Sequence, residues 1–108
     1  MKYQLRYTPS AQKDMDNVWE GVVKASQNYA LADKYVNDFI SAIAKKKEYP
    51  ESGTPLYYRN LFTGFYSINF KAYKAFYRIQ NGYIEVIRIL LQKQDYLKVL
   101  FEEKNEEK

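Results

Sequence analysis

Cysteine and histidine are both missing from this sequence. Without thiols there is no disulfide framework, no thiolate nucleophile and no Cys-ligated zinc. Without imidazoles there is no Ser-His-Asp triad, no two-histidine ribonuclease mechanism and no His-ligated zinc, so any proton transfer must run through Tyr, Lys, Asp or Glu. Four glycines and three prolines punctuate the chain. They form no phosphate-cradling loop, and the acidic residues form no cluster of metal-site type, so no metal and no cofactor is expected. No hydrophobic run approaches the ~20 residues of a membrane-spanning helix, and the first ten residues lack the apolar core of a signal peptide. The expectation is a soluble, cytoplasmic protein that does not engage a membrane.

What is plentiful is tyrosine, twelve in 108 residues, and positive charge, 17 Lys and Arg against 13 Asp and Glu for a net +4. The last seven residues carry four Glu and two Lys; setting them aside leaves 15 basic against nine acidic residues, or +6. That excess suits a polyanionic or acidic partner. Tyrosine can stack on bases, although in strands it more often packs. The length fits one domain, taken as residues 1–101, followed by a charged tail over 102–108.

The strongest local signal is Asn81-Gly82 between two aromatic and β-branched runs, Tyr73–Gln80 and Tyr83–Leu91, because a tight hairpin turn needs positive φ at both central residues. The second run is apolar enough to be the central strand. Lys74 and Arg78, four apart, share one face of the first run, and Arg88 and Lys93 follow on or just after the second. Upstream, Tyr3, Leu5 and Tyr7 alternate with Lys2, Gln4 and Arg6 as in a half-buried strand. Thr8-Pro9 then switches the period: Thr is a good N-cap and Pro suits the first helical position. Ala11, Met15, Val18, Val22 and Ala25 form one apolar stripe, bordered by Trp19. After a break at residues 26–28, Ala32, Val36, Phe39, Ile40, Ile43 and Ala44 form another, so a helical hairpin should cover one sheet face. Lys45–Lys47 suit the negative end of the second helix, or contact with phosphate or an acidic partner. Residues 49–55 are loop chemistry, 56–62 are ambiguous, and Phe65–Phe70 alternate as a strand. Asp95 can cap a short last helix with Leu97, Leu100 and Phe101 as its apolar side. The resulting fold class is α+β: a helical hairpin on a small, mainly antiparallel four-stranded sheet in the order β-α-α-β-β-β, with a short C-terminal helix.

Four segments carry a family resemblance: Thr8-Pro9-x-Ala11-x-x-Asp14, Tyr49-Pro50-x-x-Gly53, Tyr73-x-x-Phe76-Tyr77-Arg78-Ile79, and Ile87-Arg88-Ile89-Leu90 leading to Gln94-Asp95-Tyr96. In this order they resemble the RelE/ParE superfamily of toxins from type II toxin-antitoxin systems, from Tyr3 to about Phe101. The resemblance implies a growth-inhibiting protein silenced by a cognate acidic antitoxin. It also implies one of two targets, the ribosome with its mRNA, which some members cut, or DNA gyrase, which others poison. Two positions differ from many relatives: Tyr66 stands where an Arg is common, and Gln92 where a His is common.

Cleavage of RNA through its 2′-hydroxyl requires a proton to be removed, charge on phosphorus to be stabilised and the leaving oxygen to be protonated. By resemblance, Lys74, Arg88 and Tyr96 are the candidate catalytic residues, with Arg78, Lys93 and Lys71 as supporting RNA-binding cations. The expected function is a ribosome-dependent mRNA endonuclease. The alternatives are a gyrase-binding toxin with no chemistry of its own, and an inactive relative that retains antitoxin binding. Against the catalytic roles stand bland ones: Arg88 pairing with a carboxylate at the core's edge, Tyr96 packing, Lys74 solvated at an edge.

Overall fold

In the computed structural model, which describes residues 3–101, the alternating stretch Gln4–Tyr7 is strand β1 and sets Leu5 and Tyr7 against the core. The Thr8 hydroxyl accepts the Ala11 N–H at 3.1 Å and Pro9 takes the first helical position, so helix α1 (Pro9–Ser26) begins with one orphan donor satisfied and another absent. Ala11, Met15 and Val18 are its buried residues. Ala25, expected to continue the stripe, is exposed instead on an open apolar cleft of about 400 Å³ shared with Gly21, Val22, Leu31, Tyr35 and Tyr73. Gln27 ends α1 in the left-handed region, φ 57°, and Asn28 caps helix α2 (Tyr29–Ala44) by accepting the Leu31 N–H. With so short a link the helices must lie antiparallel. Trp19 borders the interface, stacked on Tyr29 at 5.7 Å with its indole N–H on Asp33. Ala32, Phe39 and Ile43 are buried, whereas Ile40, expected in the same stripe, is 38% exposed.

After α2, Lys45–Lys47 and Pro50–Ser52 form two 3₁₀ turns, bridged by the Lys46 ammonium on the Ser52 hydroxyl. Strands β2 (Thr54–Tyr58), β3 (Leu61–Phe70), β4 (Tyr73–Gln80) and β5 (Tyr83–Leu91) then build the sheet, in the order β1-β5-β4-β3-β2. All neighbours are antiparallel except β1 with β5. The α+β class and the helical hairpin are as expected, but the sheet has five strands rather than four. The ambiguous stretch supplies the fifth: Tyr58 and Leu61 pair across Arg59-Asn60, whose φ angles are 54° and 68°. A turn of that hand without glycine, next to a register shift between Pro55 and Tyr57, leaves no clean alternation to read. The central strand is also β4, not β5, because β1 returns to pair outside β5.

Asn81 and Gly82 take φ of 54° and 80°, as the β4–β5 turn requires. Further along, Phe76 pairs with Arg88 but Tyr77 pairs with Val86, leaving Ile87 as an extra residue. This bulge rephases β5, so that Ile84, Val86 and Ile89 all join the core under the helices with Ala75 and Tyr77. On the outer face, helix α3 (Tyr96–Phe101) lays Tyr96 on Phe76 at 5.2 Å and Phe101 on Tyr58 and Phe65 at 4.8 and 6.0 Å. Phe76 is thereby fully buried. Asp95 starts α3 as its chemistry suggests, accepting the Lys98 N–H at 3.3 Å. The expected tail, residues 102–108, lies outside the described residues. Among the described residues no helix is long and apolar enough to cross a membrane.

Candidate functional site

Arg6, Arg78, Arg88 and Lys74 stand in rows across the outer face of the sheet, and the rows follow from the register. Arg6, Glu85, Arg78 and Phe65 face one another on β1, β5, β4 and β3. Next come Arg88, Phe76 and Ser67, then Leu90, Lys74 and Asn69. Residues four apart on a strand share a face, so Lys74 and Arg78 lie on one side of β4 as their spacing indicates.

Lys74 and Tyr96 come together: the ammonium lies 5.5 Å from the centre of the Tyr96 ring, which itself packs on Phe76. No ion pair of the described residues involves Lys74. Arg88 does not complete this pair. Its guanidinium turns to α1, where Nε and Nη2 donate to the two oxygens of Asp14 at 2.7 and 3.2 Å. The Ile89 N–H donates to the same carboxylate at 2.8 Å. The physical reason is the short β1: it pairs with β5 only from Tyr83 to Val86, and beyond that point β5 has open backbone donors. Asp14 fills the place of the missing strand. With Asp14 only 11% exposed and Arg88 32%, the pair is largely shielded from water.

Arg78 is likewise engaged. Its Nε and Nη2 donate to one oxygen of Glu85 at 2.8 Å, and Arg6 approaches the other at 3.3 Å. The other two candidates stand apart. Lys71 sits at the β3–β4 turn with φ 53° and lies 5.9 and 5.4 Å from the Tyr35 and Phe70 rings, on the helical side of the sheet. Lys93 is exposed in the turn before α3. The two positions that differ from relatives have structural work here. Tyr66 stacks on Tyr77 at 5.6 Å, and the Gln92 amide donates to the carbonyls of Lys71 and Tyr73, holding the β3–β4 turn.

Three tyrosines have hydroxyls that ionise less readily than usual, and all lie under the helices. Burial pushes Tyr7 and Tyr77 up to about 12 and also raises Tyr73. The Tyr77 hydroxyl spends its proton on the Pro50 carbonyl at 2.6 Å. None is placed to serve the outer face as an acid or base. Among the described residues there is no group of three or more acidic, His or Cys side chains that could hold a metal ion. Sequence reasoning missed Arg6, Glu85 and Tyr83 as members of the outer surface. The one available signal was the polar face of β1, since nothing local shows that β1 pairs with β5.

A helical hairpin over a five-stranded sheet, with an outer face of arginines, lysine and aromatics under a short terminal helix, defines the RelE/ParE class of toxin folds. The family model described as the ParE toxin of the type II toxin-antitoxin system parDE matches residues 5–96, and the chain belongs to that family. It is a toxin of a type II system, and membership implies a cognate antitoxin as partner. The fold is shared with a chromosomal ParDE toxin-antitoxin system from P. aeruginosa, at 18% identity and TM-score 0.70 over 83% of this chain and 96% of that one. It is shared too with the RelBE2 toxin-antitoxin complex from Mycobacterium tuberculosis, at 21% identity and TM-score 0.57 over 85% and 100% of the two chains. A YoeB/ParE toxin from Agrobacterium tumefaciens is similar at 19% identity and TM-score 0.56 over 82% and 98%. No curated protein matches the sequence significantly.

Proposed function

We propose that this toxin arrests growth by binding DNA gyrase rather than by cutting mRNA. The observation that carries the reading is the Asp14–Arg88 pair: the guanidinium a cleavage mechanism would use to stabilise charge on phosphorus is held by a bidentate carboxylate at 2.7 and 3.2 Å. An electrostatic donor contributes to catalysis when it is preorganised toward the developing charge, and this one is oriented toward α1. Tyr96 packs over Phe76, and the Lys74 ammonium lies against the Tyr96 ring. A surface that presents charge and aromatic area without a free acid–base pair is suited to binding.

The ribosome-dependent endonuclease keeps one supporting observation, the closeness of Lys74 to the Tyr96 ring. Tyr96→Phe separates the two readings, because it removes the hydroxyl and keeps the packing. Loss of a general acid lowers the rate by about 10²- to 10⁴-fold. The experiment pairs supercoiling by purified gyrase in the presence of the toxin with primer extension on a translated message. Binding to gyrase gives inhibited supercoiling, no codon-positioned cuts and undiminished toxicity of Tyr96→Phe. Codon-positioned cuts that vanish in Tyr96→Phe, with gyrase unaffected, would overturn the proposal. An inactive relative would leave both assays silent while still binding its antitoxin.

A further inference from the structure

We infer that the hairpin of β2 and β3 is a docking element that inserts its apolar tip into an acidic, apolar-lined groove of a protein partner. This rests on the gyrase reading above, which makes the partner a gyrase subunit. β4 pairs with β3 only from Phe65 to Phe70, so residues 61–64 have β2 on one side and no strand on the other. The sheet narrows there to a two-stranded ribbon that projects by about 13 Å. On it, Tyr57, Leu61 and Phe62 are 57%, 72% and 47% exposed. Three such side chains within six residues make a patch, where exposed apolar residues scattered singly would need no explanation. Tyr57 and Phe62 pack on one another at 5.8 Å and Phe62 meets Tyr66 at 5.4 Å, but among the described residues no ring contact joins Tyr57 or Phe62 to α1 or α2.

The ribbon holds its shape without a partner. Arg59 and Asn60 take the positive φ angles of a tight hairpin turn, and Tyr58 stacks on Phe101. The Thr63 hydroxyl donates to the Leu56 carbonyl at 2.8 Å and accepts the Phe65 N–H at 3.1 Å. A tip ordered beforehand loses little conformational freedom on docking. Its free edge is unsuited to strand addition, because Pro55 has no N–H and the register shifts between Pro55 and Tyr57. Recognition therefore falls to side chains, and tyrosine and arginine are the types that dominate protein–protein hot spots. Charge selects the partner. Arg59 is exposed at the tip, and the chain holds no Asp or Glu between Glu51 and Glu85, against the cations Arg59, Lys71, Lys74 and Arg78. Two copies meeting ribbon to ribbon bring no carboxylate to Arg59, so the complement is an acidic groove on another protein. Nucleic acid fits less well, since the ribbon offers a single cation for phosphate and Leu61 cannot stack on a base.

The experiment measures binding of the full chain to purified gyrase A and B subunits, each free of DNA, alongside supercoiling by the assembled enzyme. Leu61→Ser and Phe62→Ser should each weaken binding to one subunit by about 10- to 30-fold, the loss of an interface anchor, and Arg59→Glu by at least about 10-fold. Leu61→Met, which keeps the apolar bulk, should bind like the native protein. The exchanged side chains are exposed, so melting temperatures should stay near native and the variants should still copurify with the cognate antitoxin. Folded serine and glutamate variants that inhibit gyrase as well as the native protein would overturn the inference and leave the gyrase reading standing. A native protein that binds neither subunit and leaves supercoiling unaffected would defeat that reading and the inference with it. Binding that requires DNA on gyrase and is lost only in Arg59→Glu would make the ribbon a nucleic-acid contact. Loss of antitoxin capture with gyrase binding intact would make it the antitoxin's site. Either of these results also overturns the inference.

Discussion

Replacing Asp14 with Ala should destabilise the fold more than any other exchange of a polar residue in α1. The carboxylate accepts Arg88 Nε at 2.7 Å, Arg88 Nη2 at 3.2 Å and the Ile89 N–H at 2.8 Å. Removing a hydrogen bond to a charged group costs about 1.5–3 kcal/mol, and leaving a buried charge unpartnered costs about 3–5. Arg88 is 32% exposed, so water replaces part of what is lost, and the expected cost is about 2–4 kcal/mol. For a domain of this size that lowers the melting temperature by roughly 10–20 °C. Asp14→Asn, which retains one acceptor oxygen, should lose about half as much. Urea and thermal unfolding of Asp14→Ala, Arg88→Ala and the double variant give the cycle, in which the double should fall short of the sum by about 1–3 kcal/mol. A cost for Asp14→Ala under about 0.5 kcal/mol, within the range of ordinary surface exchanges, would refute the view that Asp14 substitutes for the missing strand. The same reasoning makes Arg88→Ala a poor probe of chemistry, because its toxicity would fall with its folding.

Tyr77→Phe deletes the hydroxyl that donates to Pro50 and should cost about 1–2 kcal/mol by urea unfolding. Gly53→Ala would drive its Cβ into that hydroxyl and within 3.0 Å of the Ser67 carbonyl, so it should also destabilise, and the double variant should lose less than the sum. Tyr7→Phe removes a hydroxyl that is buried without a hydrogen-bond partner among the described residues, and should be neutral or mildly stabilising at pH 7. Because the Tyr7 hydroxyl is pushed from 10.0 up to about 12 in the folded protein, it leaves stability independent of pH below about pH 10 and lowers it as pH rises from 10 toward 12, where the unfolded chain ionises first. Urea midpoints at pH 7, 10 and 11 should therefore fall less steeply for Tyr7→Phe than for the native chain; equal slopes would contradict this. Amides of α3, which buries no residue fully, should exchange with deuterium faster than those of Ile84–Leu90. Equal protection of both segments would show that α3 is an integral part of the fold.

Much of this protein is legible in its sequence because the deciding forces are local. The Thr8-Pro9 cap, the Asn28 link, the Asn81-Gly82 turn and Asp95 at the start of α3 each act within four residues, and each stands where its chemistry indicates. The same holds for Lys74 and Arg78 sharing a face of β4, which follows from the period of a strand. The β2–β3 hairpin was hidden because Arg59-Asn60 adopts a turn that its residues do not advertise. What only the tertiary structure decided is how distant segments meet. β1 pairs in parallel outside β5, a bulge at Ile87 rephases Arg88, and Asp14, 74 residues away in sequence, claims its guanidinium. Arg6 reaches Glu85 and Tyr83 by the same route. These partnerships depend on strand order and register, and a charged side chain on a strand reads the same in sequence whether its counter-charge is another element of the fold or a ligand.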